Sequence, residues 1–361
     1  MKTFLLTILC FSVMLLSQAQ QSKERSPGLQ DSLLLKDYRP QSIFNTPQTA
    51  VLKAKYPAID MHMHVPRGGN LDSVAILILK NMDEIGIQKT ILFCGTGKSF
   101  DQSVSAFGKY PERFELWCGL DLSGFDKPGF VSVAIAELER CVKLGAKGVG
   151  EISDKGRGLV RNAGVLHIDD PRMDPILEKL ADLKLPISFH CGDPKWMYEP
   201  MDSHNDLLFE SYFFRLDDQK EIPDLNGSVD IFERALRRHP RTTFIACHFL
   251  NQTYDLDRLG KMLDKYPNLF TDISARVCYV AAIPRLAKQF IEKYADRIVY
   301  GTDYGFDIAM YRNTFRILET LDEHFYAWDI SNTPWSLSGL GLSDETLKKL
   351  YRDNALQILK K

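Results

Sequence analysis

Apolar and polar residues alternate along this chain in two rhythms. Short runs of period two, or continuous apolar stretches, recur at 58–63, 90–94, 114–120, 146–152, 186–190, 243–248, 269–273 and 298–302. They read as strands, because side chains along a strand point alternately to its two faces. Between them, apolar residues fall three and four apart at 71–85, 101–110, 130–144, 174–183, 229–239, 256–266, 284–294 and 310–324, with a last such stretch at 345–359. That is the spacing of a helix with one buried face. Strand and helix alternating eight times over residues 56–361 predict an α/β fold of one domain, a (β/α)8 TIM barrel. A doubly wound open sheet fits less well, since no glycine-rich dinucleotide loop follows the first strand.

Several strands close on residues that bind metals or move protons. Ala58-Ile59-Asp60-Met61-His62-Met63-His64 alternates apolar with polar residues, so His62 and His64 are expected on one strand face, about 6 to 7 Å apart. Later strands end in His190, His248 and Asp303, and the fourth ends at Glu151. The chain has 8 His, and half of them close strands. In a closed barrel all these ends meet at one mouth, which an open sheet does not achieve. Imidazole nitrogen and carboxylate oxygen are good ligands for zinc and related divalent ions, and a bound ion brings the pKa of a water to about 7. His62, His64, His190 and Asp303 are the expected ligands, with Asp303 also placed to take a proton. Each has a plainer reading as a hydrogen-bonded core or surface residue. Asp60 either holds a ligand histidine in place or satisfies backbone at the barrel end.

These pieces resemble the amidohydrolase superfamily, in particular the amidohydrolase-2 branch related to aminocarboxymuconate-semialdehyde decarboxylase. The matching segments are Asp60-Met-His62-Met-His64, Ile187-Ser-Phe-His190-Cys-Gly-Asp193-Pro, Phe244-Ile-Ala-Cys-His248, Ile298-Val-Tyr-Gly-Thr-Asp303-Tyr, and Asn354-Ala355 in the closing helix. The resemblance covers about residues 56–361. It implies a metal-dependent enzyme in which His248 lies near the substrate rather than among the ligands, polarising a carbonyl or shuttling a proton. The best-known binuclear members carry a carbamylated lysine on strand four; here Gly148-Val-Gly-Glu151 offers a carboxylate instead. Some members of the superfamily use a glutamate there as a ligand, so one or two ions are expected, Zn2+ first and Mn2+ second.

Arg157, Arg161 and Arg276 follow strands four and seven and are candidates to meet a carboxylate-bearing small-molecule substrate; surface ion pairing is the commoner fate of such residues. The connection 192–228 is long for a barrel and rich in aromatics, Trp196 among them. It reads either as a lid over the site, with Trp196 contributing to substrate binding, or as a satellite cluster packed on the rim.

Three functions compete. A hydrolase would add metal-activated water to an amide, lactone or ester carbonyl. A nonoxidative decarboxylase would use the same metal and His248 to break a C–C bond. A non-catalytic metal-binding barrel would leave His248 and Glu151 without a purpose. Hydrolysis is the leading expectation.

Composition changes the picture in two respects. With a formal net charge of -2 and no long basic block, nucleic acid is excluded as an electrostatically steered partner. Residues 1–19 carry Lys2, an apolar run to Leu16 and Ser17-Gln18-Ala19, the layout of a signal peptide cut after Ala19. The run is shorter than the roughly 20 residues that span a bilayer. The expected address is therefore periplasmic or secreted, with no stable membrane span after cleavage. Residues 20–55 read as an N-terminal extension and 56–361 as the barrel domain. The six remaining cysteines lack the spacing of a zinc ribbon and are expected as buried thiols, with a disulfide as the alternative. A homodimer is compatible with all of this.

Overall fold

The computed structural model describes residues 28, 31–160, 165–328 and 330–360; residues 1–19, expected as a signal peptide, and Arg161 lie outside them. The chain divides into two compact units, Met1–Pro40 and Gln41–Lys361. In the first, the described residues form one short 3-10 turn, Leu35–Asp37.

The second unit is built from eight parallel strands: β1 (Ala58–His64), β2 (Ile87–Phe93), β3 (Phe114–Trp117), β4 (Val149–Asp154), β5 (Ile187–Cys191), β6 (Phe244–Ala246), β7 (Leu269–Asp272) and β8 (Ile298–Val299). Each is followed by a helix: α1 (Leu71–Ile85), α2 (Gly97–Phe107), α3 (Phe130–Lys143), α4 (Asp174–Asp182), α5 (Leu225–Arg238), α6 (Leu256–Lys265), α7 (Pro284–Lys293) and α8 (Ile308–Glu319). Strands β1 to β3 form one ladder and β4 to β8 another. A parallel bridge from Cys118 to Val149 joins the two on one side. On the other, Met61 N donates to Tyr300 O at 2.9 Å and Asp303 N to His62 O at 3.0 Å. The sheet therefore closes on itself, as the eightfold pattern predicts.

Helix ends follow the sequence. Asn70, Asp224, Asp255 and Asp307 each accept a backbone N–H from the first turn of the helix they precede, satisfying donors that have no partner within the helix. Gly86 ends α1 in the left-handed conformation. The closing stretch is interrupted: Asp344–Lys348 and Asn354–Leu359 flank a π-type turn at Lys349–Asp353. Asn354 Nδ2 there donates to Ala295 O and Ile298 O, both at 2.6 Å.

Ile59, Met61, Ile91, Phe93, Trp117, Ile245, Phe270 and Val299 form a cluster drawn from strands around the barrel, with Ala355 and Ile358 packed against it. A larger cluster joins strands to helices. Residues 41–55 lie along the barrel surface, where Thr49 donates through N and Oγ1 to Asp322, both at 2.7 Å. All six described cysteines are buried and unpaired. Among the described residues no helix is long and apolar enough to cross a membrane.

Several strands stop short of their expected ends, β3 at Trp117 rather than residue 120 and, at the site, β6 and β8. Strand β6 stops at Ala246 rather than His248, because His248, Phe249, Leu250 and Asn251 all have positive φ, between 52° and 62°. Strand β8 stops at Val299, and Asp303 also sits at positive φ, 63°.

Candidate metal and catalytic centre

Six polar side chains from five strand ends meet at the C-terminal mouth of the barrel. Glu151 on β4 is the hub. Its Oε1 lies 2.8 Å from His190 Nδ1 and 3.2 Å from His248 Nε2, and its Oε2 lies 3.3 Å from His64 Nε2. Asp303 faces it: Oδ1 is 3.5 Å from His62 Nε2 and 3.4 Å from His64 Nε2. His62 and His64 thus reach the same two carboxylates, as their spacing predicts.

Asp60 goes elsewhere. The β1–β2 register shifts between Asp60 and Met63, so strict alternation fails there. The Asp60 carboxylate accepts from Thr302 Oγ1 and Tyr311 OH, both at 2.7 Å, and from the backbone of His62 and Thr302. It fastens β1 to the segment after β8 and does not touch an imidazole. The residue that orients His62 is Asp272, at the end of β7, whose Oδ2 lies 2.9 Å from His62 Nδ1. Its Oδ1 accepts His248 N at 2.8 Å and Ser274 Oγ at 2.5 Å. Ser274 O lies 3.0 Å from His248 Nδ1; a carbonyl only accepts, so Nδ1 carries the proton and neutral His248 presents a lone pair at Nε2.

Close packing fixes these positions. A Cβ on Gly301 would meet His62 Cβ at 2.7 Å, and one on Gly150 would meet the Phe93 ring at 2.6 Å, so neither site admits a side chain without moving a neighbour. The left-handed turn that carries His248 costs roughly 1–2 kcal/mol per L-residue and is held from outside. Asn251 Nδ2 donates to Cys191 O and Gly192 O, and Asn251 Oδ1 accepts from Arg276 Nε at 2.9 Å and Nη2 at 2.6 Å.

Charge follows proximity. Burial opposes ionisation of Glu151, yet the imidazoles of His190, His248 and His64 together outweigh it and hold this carboxyl well below the usual range. For Asp303 burial is again outweighed, here by His62, and its pKa falls to about 2. Burial would depress His62, but the carboxylates of Asp272 and Asp303 contribute to raising it well above the ordinary imidazole value. His248 goes the other way: burial, then the neighbouring His190, keep it below that value.

Among the described residues three sets of donors have ligand atoms within 4.8 Å of one another: His62, His64 and Asp303; His62, Glu151 and His248; and His62, Cys247 and Asp272. His62 Nε2 and His190 Nε2 are buried without a hydrogen-bond partner. An unpaired buried nitrogen is costly in a folded protein, and His62 Nε2 amid carboxylates suits a divalent cation. His190, expected as a ligand, belongs to none of these sets, because its Nδ1 is 2.8 Å from Glu151 Oε1 and its Nε2 faces Asp193 Oδ1 at 3.5 Å. His248 falls within one of these donor sets, whereas the sequence reading placed it beside the ligands.

The remaining candidates separate. Arg276 is buried, and its donors go to Asn251 and to Ala275 O rather than to the open mouth. Trp196 packs edge-on against Tyr279, ring centroids 5.4 Å apart, and lies 5.4 Å from the Trp335 ring. That is the satellite cluster of the two alternatives. Arg157 is exposed on the wall of a cavity of about 740 Å³ that reaches Glu151. A second cavity, of about 770 Å³, opens beside His64. Sequence reasoning missed Asp272, Ser274 and Asn251. Leu269-Phe-Thr-Asp272 ends a strand in Asp as the segment before Asp303 does, so the same criterion could have found Asp272.

The amidohydrolase family model matches residues 59–361, most of the chain. The chain belongs to the amidohydrolase family. Among solved structures this amidohydrolase resembles an uncharacterised TIM-barrel protein from Bordetella bronchiseptica, at 16% identity and TM-score 0.54, covering 84% of this chain and 98% of that one. It resembles 2,6-dihydroxybenzoate decarboxylase from Rhizobium at 20% identity and TM-score 0.51, over 84% and 99% of the two chains. A putative amidohydrolase from Staphylococcus aureus follows at 18% and 0.52, over 84% and 99%. At these identities the likeness concerns the fold. No curated protein matches the chain.

Proposed function

We propose that this amidohydrolase is a metal-dependent hydrolase of a small-molecule amide, lactone or ester, with His62, His64, Glu151 and Asp303 holding a divalent ion, zinc or manganese, and His190 fixing Glu151. The observation that carries the reading is the ionised Asp303 carboxylate, with Oδ2 3.9 Å from His248 Nε2 and the proton of that ring committed to Ser274 O. When bound, the ion supplies a Lewis acid at the reacting carbonyl and acidifies a water. Asp303 accepts the proton that the attacking water gives up. His248, neutral because it is buried, takes that proton from Asp303 at Nε2 and gives it to the leaving group, which restores the Asp303 carboxylate. Asp272 keeps His62 and His248 aimed while the proton passes from Asp303 to His248.

Nonoxidative decarboxylation is the second reading. Its support is the fold shared with 2,6-dihydroxybenzoate decarboxylase from Rhizobium and with 5-carboxyvanillate decarboxylase LigW from Sphingomonas paucimobilis, at 14% identity and TM-score 0.51. Incubating the metal-loaded enzyme with lactones, amides and aromatic acids in heavy-oxygen water separates the two. Product carrying one heavy oxygen supports hydrolysis; release of carbon dioxide without label in the organic product supports decarboxylation. We further propose export with cleavage after Ala19, for which the N-terminal sequence of the protein recovered outside the cytoplasm should begin at Gln20.

A further inference from the structure

The cavity that reaches Glu151 has a largely apolar group among its lining residues. Leu120, Leu122, Val160, Phe213, Phe214 and Leu216 line it, and Phe213 and Phe214 are 70% and 58% exposed. Phenyl rings left this open at the rim of a preformed cavity gain by covering apolar surface.

Three cations also line the cavity, and two are neutralised. Lys155 Nζ sits 2.8 Å from Asp193 Oδ1, and Arg215 makes a two-pronged contact with Asp217, 2.9 Å to each oxygen. Arg157 forms no ion pair and no hydrogen bond among the described residues. The described residues beside it are tied by hydrogen bonds. Asp154 Oδ1 accepts Gly156 N at 2.9 Å and Gly158 N at 3.0 Å, Asp154 Oδ2 is 2.6 Å from His167 Nδ1, and Leu159 N donates to Leu166 O at 2.7 Å. A guanidinium with free donors between two held backbone positions, Gly156 and Gly158, is ready for an anion. Glu151 and Asp193 also line the cavity, and Asp193 is already taken by Lys155, which leaves Arg157 as the one unpaired cation among its described lining residues.

We infer that Arg157 determines specificity by binding the carboxylate of an amphipathic acid, whose apolar body lies along Phe213 and Phe214 and whose reacting group, at the far end, faces Glu151. The inference rests on the catalytic centre proposed above only for the direction of the substrate. It narrows the substrate class to acids in which the anion is remote from the bond that breaks.

Calorimetric titration with phenylbutyrate, and with the uncharged phenylbutanol, tests it without turnover. Arg157→Gln should weaken phenylbutyrate about tenfold or more, the usual effect of losing a charged hydrogen bond, and leave phenylbutanol unchanged. Arg67→Gln, which removes a charge from the wall of the second cavity, should change neither. Equal weakening by Arg157→Gln and Arg67→Gln would reduce the effect to net charge and overturn the assignment. Weakening by His62→Ala in place of Arg157→Gln would put the carboxylate at the metal and overturn it too. If His62→Ala leaves metal content unaltered, the metal assignment fails on its own while the Arg157 result stands.

Discussion

Asp272 Oδ2 lies 2.9 Å from His62 Nδ1 while the other oxygen of the same carboxylate accepts the backbone N–H of His248. One buried side chain thus sets the tautomer of the first imidazole and the position of the second. Burial pushes its pKa up, but His62 outweighs that and keeps it ionised.

Asp272→Asn should therefore weaken the metal site without removing a ligand. Loss of such a partner typically costs about 10- to 100-fold in affinity. Competition with a chromophoric chelator measures it, and unchanged affinity would show that His62 is oriented by something else.

Asp303→Asn should keep an oxygen in place yet be unable to take a proton. Turnover should fall about 10²- to 10⁴-fold, with the unfolding midpoint little changed. His248→Asn should also lower turnover. Its metal content discriminates between roles: retention assigns His248 to proton transfer, and loss assigns it to the ligand set with Glu151.

Much of this centre is legible in the sequence because strand ends carry it. The four histidines, Glu151 and Asp303 each close a segment whose apolar character is plain, and barrel closure brings those ends together. What stays hidden depends on local backbone geometry. The irregularity in β1 turns Asp60 away from the imidazoles, and no residue in Asp-Met-His announces it. Arg276 reads as a mouth residue, since it follows β7, but it is recruited by Asn251 from the turn after β6. That pairing joins residues 25 positions apart, through a conformation L-residues seldom adopt.

Gly301→Ala should test the packing under His62 directly. The added methyl would meet His62 Cβ at 2.7 Å, and small insertions into tight cores cost about 1–3 kcal/mol. Denaturant unfolding should show that loss, together with weaker metal retention. A variant as stable as the parent would mean that β1 can give way there.

Away from the mouth, Glu137 on α3 accepts Gly97 N at the start of α2 at 2.8 Å and pairs with Arg140 at 2.7 Å. The Arg140 hydrogen bond lowers its pKa from 4.5 to about 2. A carboxylate depressed in the folded state stabilises above its unfolded pKa, and that contribution disappears as pH falls through the folded value. Glu137→Gln should then destabilise by about 1 kcal/mol at neutral pH, a figure discounted for partial solvent exposure. The gap between variant and parent should narrow as pH drops below about 4.5. Urea midpoints at several pH values check this, and a pH-independent gap would contradict it.

The turn at 248–251 has a hand that its own residues do not choose. Phe249 and Leu250 have no glycine-like freedom, and left to local preference the segment would relax to the ordinary right-handed side of conformational space. It is kept otherwise by Asp272, by Arg276 through Asn251, and by the carbonyls of Cys191 and Gly192. His248 is therefore in register with its neighbours only in a barrel whose fifth and seventh strands are already seated. The handedness of four residues works as a certificate of completion: an unfinished barrel has the histidine but not the site.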